Sequence, residues 1–294
     1  MNNKGNASIL LVLLMAVLLT SLSYVIDIGL SYAQRIKLSN AVDSAVLASS
    51  RELKKSKTKV NEIAKKYLDI NYKEEYNYEI TIPDDLKSVE INANTKVNHY
   101  FSQVFGNSNS IVHVSAKAII APIKSIKNGV KPLAVKNFNF TYGDEIILKE
   151  GAGDGENGNY GALALGGNGA SIFSNNLENG YDSTISIGDE LLTEPGNIVS
   201  ALNIIKNNIN GDSSTFEDYS ENSIRLWTVP LIDSFDIYGR DYVVVVGFAE
   251  FFVENIDIHA GKGEIGGRFI KYVINGDIDT SLNDKGLYGI KLVK

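Results

Sequence analysis

From Ala7 to Ile26 the chain reads ASILLVLLMAVLLTSLSYVI, with no charged residue and with Ser, Thr and one Tyr as its only polar members. About 20 such residues, each rising about 1.5 Å, cross a hydrocarbon core, and few helices of soluble proteins are apolar on every face. The pattern therefore predicts a transmembrane helix. It changes character at Asp27. From Leu30 the apolar positions fall at 30, 33, 36, 38, 41, 42, 45 and 46 and reach Leu53, mostly the three-and-four spacing of a single helical stripe. No Gly or Pro lies between Leu30 and Pro83, so one rod from the bilayer to about Tyr72 is expected, with a joint allowed near Lys54–Thr58. Asp27 then sits at the membrane interface, where an acid costs far less than at the bilayer centre. Water, a lipid headgroup or a basic residue on a partner could meet it there.

Beyond the rod the period changes to two. Val89, Ile91, Ala93, Thr95 and Val97 alternate with polar residues, which predicts a half-buried strand. A short amphipathic helix is expected at Asn98–Phe105, ended by Gly106, and then a partner strand over Ile111–Ile119. Pro122 to Pro132 is punctuated by Pro and Gly and reads as a connector. The remainder is β-rich. Its expected strands are Glu145–Lys149, Gly161–Leu165, Thr184–Ile187, Ile224–Leu231, Val243–Glu254 and Gly267–Ile274, with one helix from Asn197 or Ile198 to just before Gly211. The run from Arg225 to Ile256 reads as two strands around a polar turn. The fold class is α+β: an N-terminal transmembrane helix extended into a pilin-like helix with a small antiparallel sheet, then a distal, mainly β domain. The expected divisions are 1–32 for leader and anchor, 33–121 for helix and sheet, 122–136 for the connector, and 137–294 for the distal domain.

Composition narrows the chemistry. The 294 residues include no cysteine, which removes disulfides, thiolate metal sites and a cysteine nucleophile. The net charge of -7 is unevenly spread. Residues 1–143 hold about 18 Lys and Arg against about 11 acids, and residues 144–294 about 10 against about 24. An acidic, Gly-rich distal half repels phosphate, so nucleic acid is not expected as a partner. The basic residues near the rod could meet anionic lipid, although a solvated helix face is the plainer reading. Positive charge does not fix the topology. Lys4 stands on one side of the span and Arg35, Lys37, Arg51, Lys54 and Lys55 on the other, yet large domains translocate largely regardless of charge. The "SYA" at 31–33 is a small-x-small site of the kind cut in secretory signals, but it follows an acid and too long a leader.

Local motifs give little catalytic signal. Gly153, Gly155 and Gly158 fit a GxGxxG pattern formally, but the residues after them do not read as the helix a dinucleotide site requires. Asp154, Glu156, Asn157 and Asn159 could place oxygens around Ca²⁺, a weak alternative to a solvent-exposed glycine turn in the 151–159 loop, because EF-hand spacing is lacking. His99, His113 and His259 show no metal-ligand spacing and read as surface or packing residues. Asp84-Asp85 and Asp189-Glu190 fall in turns. Trp227 and its aromatic neighbours read as core. No cofactor and no small-molecule substrate are expected.

The segment KGNASILLVLLMAVLLTSLSYVIDIGLSYAQRIKLSNAVDSAVLASS resembles the N-terminal part of TadE/TadG-type Flp (tight adherence) pilus assembly proteins, Firmicute-like in type. Those chains carry a Gly-containing leader, an apolar helix, an Asp-x-Gly step, here Asp27-Ile28-Gly29, and an Ala-x-Asp-Ala-Ala-x-Ala-Ala segment. Here that segment runs from Ala41 through Asp43, Ser44 and Ala45 to Ala48, with Ser44 in the place of an alanine. Lys4-Gly5 resembles a prepilin cleavage site, with Leu10 where a Glu is usual. Residues 97–122 are similar to a TadG stretch of strand, Phe-rich turn and second strand, through Val97, Tyr100, Phe101, Phe105, Gly106, Val112, Val114, Ala116 and Ala118. Looser similarity continues in "GNYGAL", "GDELLTEPGN", "VPLID" and "VVVVGFAEFF". The Asp-x-Ser-x-Ser motif of the von Willebrand A domain that some relatives carry is absent.

The resemblance implies a single-pass protein of the cell membrane with its C-terminal part extracytoplasmic, and a structural rather than enzymatic role in pilus assembly. Its partners would be the membrane and other Tad/Flp pilus or pilin-like proteins, gripped through Asp27, Gly29, Ala41, Asp43, Ser44, Ala45 and Ala48, whose mostly small side chains let helices approach closely. A surface-anchored adhesion module is the alternative, and a cell-wall hydrolase a more distant one.

Overall fold

The computed structural model describes residues 4–150, 159–194, 198–234, 240–259 and 262–293. The chain forms two compact units, Met1–Ile119 with Leu292–Lys294, and Ile120–Lys291.

In the first unit, α1 (Lys4–Ser50) is one uninterrupted helix of 47 residues. Its apolar beginning is exposed all round, from Ile9 to Leu22. Farther along, Leu38, Ala41, Val42, Ala45, Val46, Ser49 and Ser50 are fully buried, and their spacing makes one stripe. That stripe meets the chain's own α2 (Lys57–Asn71) and the strand Ser88–Asn98. The helix does not run unbroken to Tyr72; it is interrupted at 51–56, overlapping the joint allowed near Lys54–Thr58. Turn hydrogen bonds from Glu52, Leu53 and Lys55 close the chain after Ser50. Ser56 then restarts it as an N-cap, accepting the Thr58 amide at 3.2 Å. Val60, Ala64 and Leu68 repeat every four residues and are buried. The Tyr72 hydroxyl donates to Gln34 Oε1 at 3.1 Å, so α2 folds back along α1. A hairpin wins over a rod because it buries both apolar stripes, which a rod would leave wet.

β1 (Asn77–Thr81), β2 (Ser88–Asn98) and the first part of β3 (Asn109–Ile126) make an antiparallel sheet with β2 in the middle. The alternation read from sequence holds: Val89, Ile91, Ala93, Thr95 and Val97 are buried, and β2 lies against α1. The helix expected over Asn98–Phe105 shrinks to a 3-10 turn at Ser102–Phe105, closed by Gly106 at φ 88°. Within the stretch read as a connector, β3 runs on through Pro122 to Ile126.

The second unit holds the end of β3, then β4 (Leu133–Lys136), β5 (Glu145–Glu150), β6 (Asn159–Ala162), α3 (Ala170–Asn179), β7 (Ile185–Ser186), β8 (Glu190–Leu192), α4 (Val199–Gly211), β9 (Leu226–Ile232), β10 (Tyr242–His259), β11 (Lys262–Ile270), β12 (Tyr272–Ile274), β13 (Asp277–Ile278) and β14 (Leu287–Val293). Six of these close a ring in the order β11, β5, β6, β4, β9, β10 and back to β11, with β8 paired alongside β10. Closure leaves the ring no free edge. All six strands contribute to one core, including Leu133, Leu148, Tyr160, Trp227, Phe251 and Phe269, which α3 and α4 extend. β10 is apolar on both faces because a second core, with Phe248 and Phe252, lies on its other side. This is the distal, mainly β domain expected from the sequence, although the barrel closure and α3 were not.

The ring depends on a glycine. Val253 pairs with Gly267 and Asn255 with Gly266, so Glu254 bulges from β10. A Cβ on Gly267 would strike the Phe252 carbonyl oxygen and come within 2.8 Å of the Phe251 ring. Gly267→Ala is expected to destabilise the protein by about 1–3 kcal/mol, the usual cost of overpacking. Chemical denaturation would show it as a lower midpoint.

Candidate functional site

Asp27 lies in α1 one turn before Ser31, on the face that meets the β2–β3 connection. Its side chain is 1% exposed, although it follows a run of lipid-like residues. Three consecutive backbone amides converge on it. The Tyr100 N–H donates to Oδ1 at 2.9 Å, that of Phe101 to Oδ2 at 3.2 Å, and that of Ser102 to Oδ2 at 2.6 Å. The Ser102 hydroxyl also donates to Oδ2. Successive amides that point the same way form a pocket for an anion. Here the carboxylate of a distant helix fills it, much as an N-cap side chain would.

A second tie lies one turn farther along α1. The Ser31 hydroxyl donates to the Asp27 carbonyl at 3.0 Å and lies 3.0 Å from Ser110 Oγ. Ser110 is 3.1 Å from His99 Nε2, and His99 Nδ1 is 3.2 Å from the Asn107 carbonyl. That carbonyl can only accept, so Nδ1 carries a proton. The loop is closed from within by Gly106 N–H to Gln103 O at 3.1 Å and Asn107 N–H to Ser102 O at 3.1 Å. Together these contacts fasten a loop to a helix.

The structure divides the helix-packing residues named from sequence. Asp27 meets the backbone and a hydroxyl of its own chain. Ala41 and Ala45 are fully buried inside the first unit. Asp43, Ser44 and Ala48 are half-buried, and the Ser44 hydroxyl donates to the Asn40 carbonyl at 2.8 Å. Gly29 is exposed, with open space where a Cβ would stand. Tyr100, Phe101, Ser102, Ser31, Ser110 and His99 were not recognisable as Asp27's surroundings. The signal was an acid directly after the uncharged run, with no base three or four residues away.

In the second unit, Trp227 is 2% exposed and donates its indole N–H to the Ile224 carbonyl at 3.0 Å, a core residue as read. Arg225 donates to the carbonyls of Ile209 and Asp212 at the end of α4, at 2.7 and 2.8 Å, and to those of Val253 and Glu254 on β10, at 3.2 and 2.9 Å. Next to Asp212 opens a cleft of about 750 Å³ lined by Asn207, Asn208, Asn222 and Ser223 and by the charged Lys131 and Glu178. Glu250 on β10 is fully buried beside Thr228, whose hydroxyl donates to it at 2.6 Å. Burial pushes its carboxyl up to about 7, against the pull of Thr228 and the Lys131 charge. Burial likewise pushes Lys131 down to about 8.

Among the described residues no group of His, Asp and Glu could hold a metal ion. The 151–158 part of the glycine loop lies outside the described residues; Asn159 opens β6 and is buried. His113 faces Asn94 across the sheet and His259 ends β10, paired with Lys262. Asp84 pairs with Lys57 at 2.9 Å and Asp189 accepts the Ser186 amide at 2.8 Å, turn roles in both cases.

Two observations on the same segment bear on what the first unit is. By length and composition α1 can cross a membrane, with mean hydropathy 2.7 over its most apolar window; a signal sequence near an N-terminus meets the same criterion. The family described as Putative Flp pilus-assembly TadE/G-like matches residues 5–51. No curated protein matches the chain, and no solved structure matches it.

Proposed function

We propose, from the premise that residues 5–51 are TadE/G-like, that the chain is a membrane-anchored structural component of a Tad/Flp-type pilus or related secretion machinery. The observation that carries the reading is that the matched segment coincides with α1, a single helix that is lipid-like at its start and packed into a small sheet at its end. In this reading α1 runs through the bilayer and meets pilin-like or platform helices laterally. The faces available for that contact are those the fold leaves open, around Gly29, Ile36 and Leu47, because the Ala41–Ala45 stripe is already occupied by α2 and β2. The second unit is held outside the membrane, where it primes, caps or scaffolds the fibre.

One observation favours a second reading, a surface-anchored binding module: the cleft lined by amides, hydroxyls and the charged Lys131, Glu178 and Asp212 suits a polar ligand. A single experiment separates the two. Deleting the gene is expected to abolish fibres seen by electron microscopy, and re-expression to restore them. Intact fibres together with lost attachment would reject the assembly role and favour the binding module.

A further inference from the structure

We propose that the loop at residues 99–107 is a second membrane contact, with Tyr100 and Phe101 inserted among the lipid headgroups beside the helix that spans the bilayer. The inference rests on the reading of α1 as a membrane span. The uncharged run ends at Ile26, and Asp27 follows it. Because the Asp27 carboxylate holds the amides of Tyr100, Phe101 and Ser102, the loop is fixed at the level where the span leaves the hydrocarbon. The loop also overhangs the span. Ser102 and Asn107 share a groove of about 620 Å³ with Ala16, Val17, Thr20 and Tyr24 of α1.

The side chains at that level suit an interface. Tyr100 is 67% exposed, Phe101 43% and Tyr24 60%, although the amides of Tyr100 and Phe101 are held by Asp27. Aromatic rings of this kind concentrate where water meets lipid, because they offer an apolar body and, in Tyr, a polar tip. The groove beneath is prepared for acyl chains. The hydroxyls of Thr20, Ser21 and Ser23 each donate to the carbonyl four residues earlier, at 2.8, 2.8 and 2.6 Å, so they present no unsatisfied donor to lipid. Asp27 itself is turned away from lipid and fully engaged. Such a loop would stop α1 from rotating or sliding in the bilayer, fixing which helix face its neighbours meet.

The absence of cysteine makes the test clean. Single-cysteine variants Phe101→Cys, Tyr100→Cys, Leu18→Cys and Lys59→Cys of the full chain are labelled with an environment-sensitive fluorophore and placed in phosphatidylcholine–phosphatidylglycerol nanodiscs. Nitroxide lipids, shallow or deep, and aqueous iodide are the quenchers. Labels at 100 and 101 are expected to be quenched by the shallow nitroxide, that at 18 by the deep one, and that at 59 by iodide alone. If 18 responds to nitroxide while 100 and 101 behave like 59, the loop proposal is overturned and the anchor stands. If 100 and 101 are shielded from both quenchers, protein covers them and the proposal also falls. If 18 itself is open to iodide, the anchor reading fails first.

Discussion

Replacing Asp27 with alanine is expected to release the 99–107 loop from α1 and to expose the amides of Tyr100, Phe101 and Ser102 to solvent. These three N–H groups and the Ser102 hydroxyl share one carboxylate. Alanine leaves every one of those donors without its acceptor, and bonds to an ionised acceptor are the stronger kind. Asparagine offers one carbonyl oxygen and turns an NH₂ group toward donors, so it should restore the site only in part. Hydrogen exchange read by mass spectrometry on the full chain in detergent checks this. Exchange over residues 99–107 should quicken by roughly tenfold or more in Asp27→Ala, less in Asp27→Asn, and stay unchanged in Asp43→Ala. Equal protection in wild type and Asp27→Ala would mean that the loop is held by the Ser31–Ser110–His99 tie alone. Under the proposed function, the same substitution should lower fibre number without removing the protein from the membrane.

Local regularities were legible in the sequence. The alternation from Val89 to Val97 predicted the buried face of β2 residue by residue, because one sheet face is wet and the other lies on α1. The α1 stripe was equally plain. What failed were choices settled by distant partners. A helix through residues 51–56 has no Gly or Pro to forbid it, and only the matching stripe of Val60, Ala64 and Leu68 decides that the chain turns back. Ser56 was a local sign of that restart. Asp27's partners lie more than seventy residues away and act through their backbone, which no side-chain motif reports. The barrel was hidden for a similar reason. β5 and β6, and β4 and β9, pair in parallel, so no hairpin turn marks those contacts. α3 follows a glycine-rich stretch that masks its beginning.

The largest pH effect should come from Glu250, the acid within "VVVVGFAEFF". Its carboxyl titrates near 4.5 when solvated and is raised to about 7 by burial in the native state. Between those values the folded protein keeps a proton that the unfolded chain has lost. Stability from this group is therefore complete below pH 4.5 and falls as pH rises toward 7, by about 3 kcal/mol in all. Lys131 adds the opposite slope at higher pH. Its amine, lowered to about 8 by burial, sheds its proton in the folded state before the unfolded chain does, so stability recovers as pH rises from 8. Glu250→Gln keeps the size of the side chain and an acceptor for Thr228, but it cannot ionise. The variant should match wild type near pH 4.5 and exceed it near pH 7.5. The gain will be smaller than 3 kcal/mol, because the variant also removes the anion that helps hold Lys131 charged. Urea midpoints measured across pH 4.5 to 8 give the difference curve directly. Asp212 and Asp279, lowered by hydrogen bonds from Ser214 and Ser281, titrate below this window and cancel in the difference. A flat difference curve would mean that Glu250 stays ionised in the native protein and that Lys131 and Thr228 compensate its burial in full.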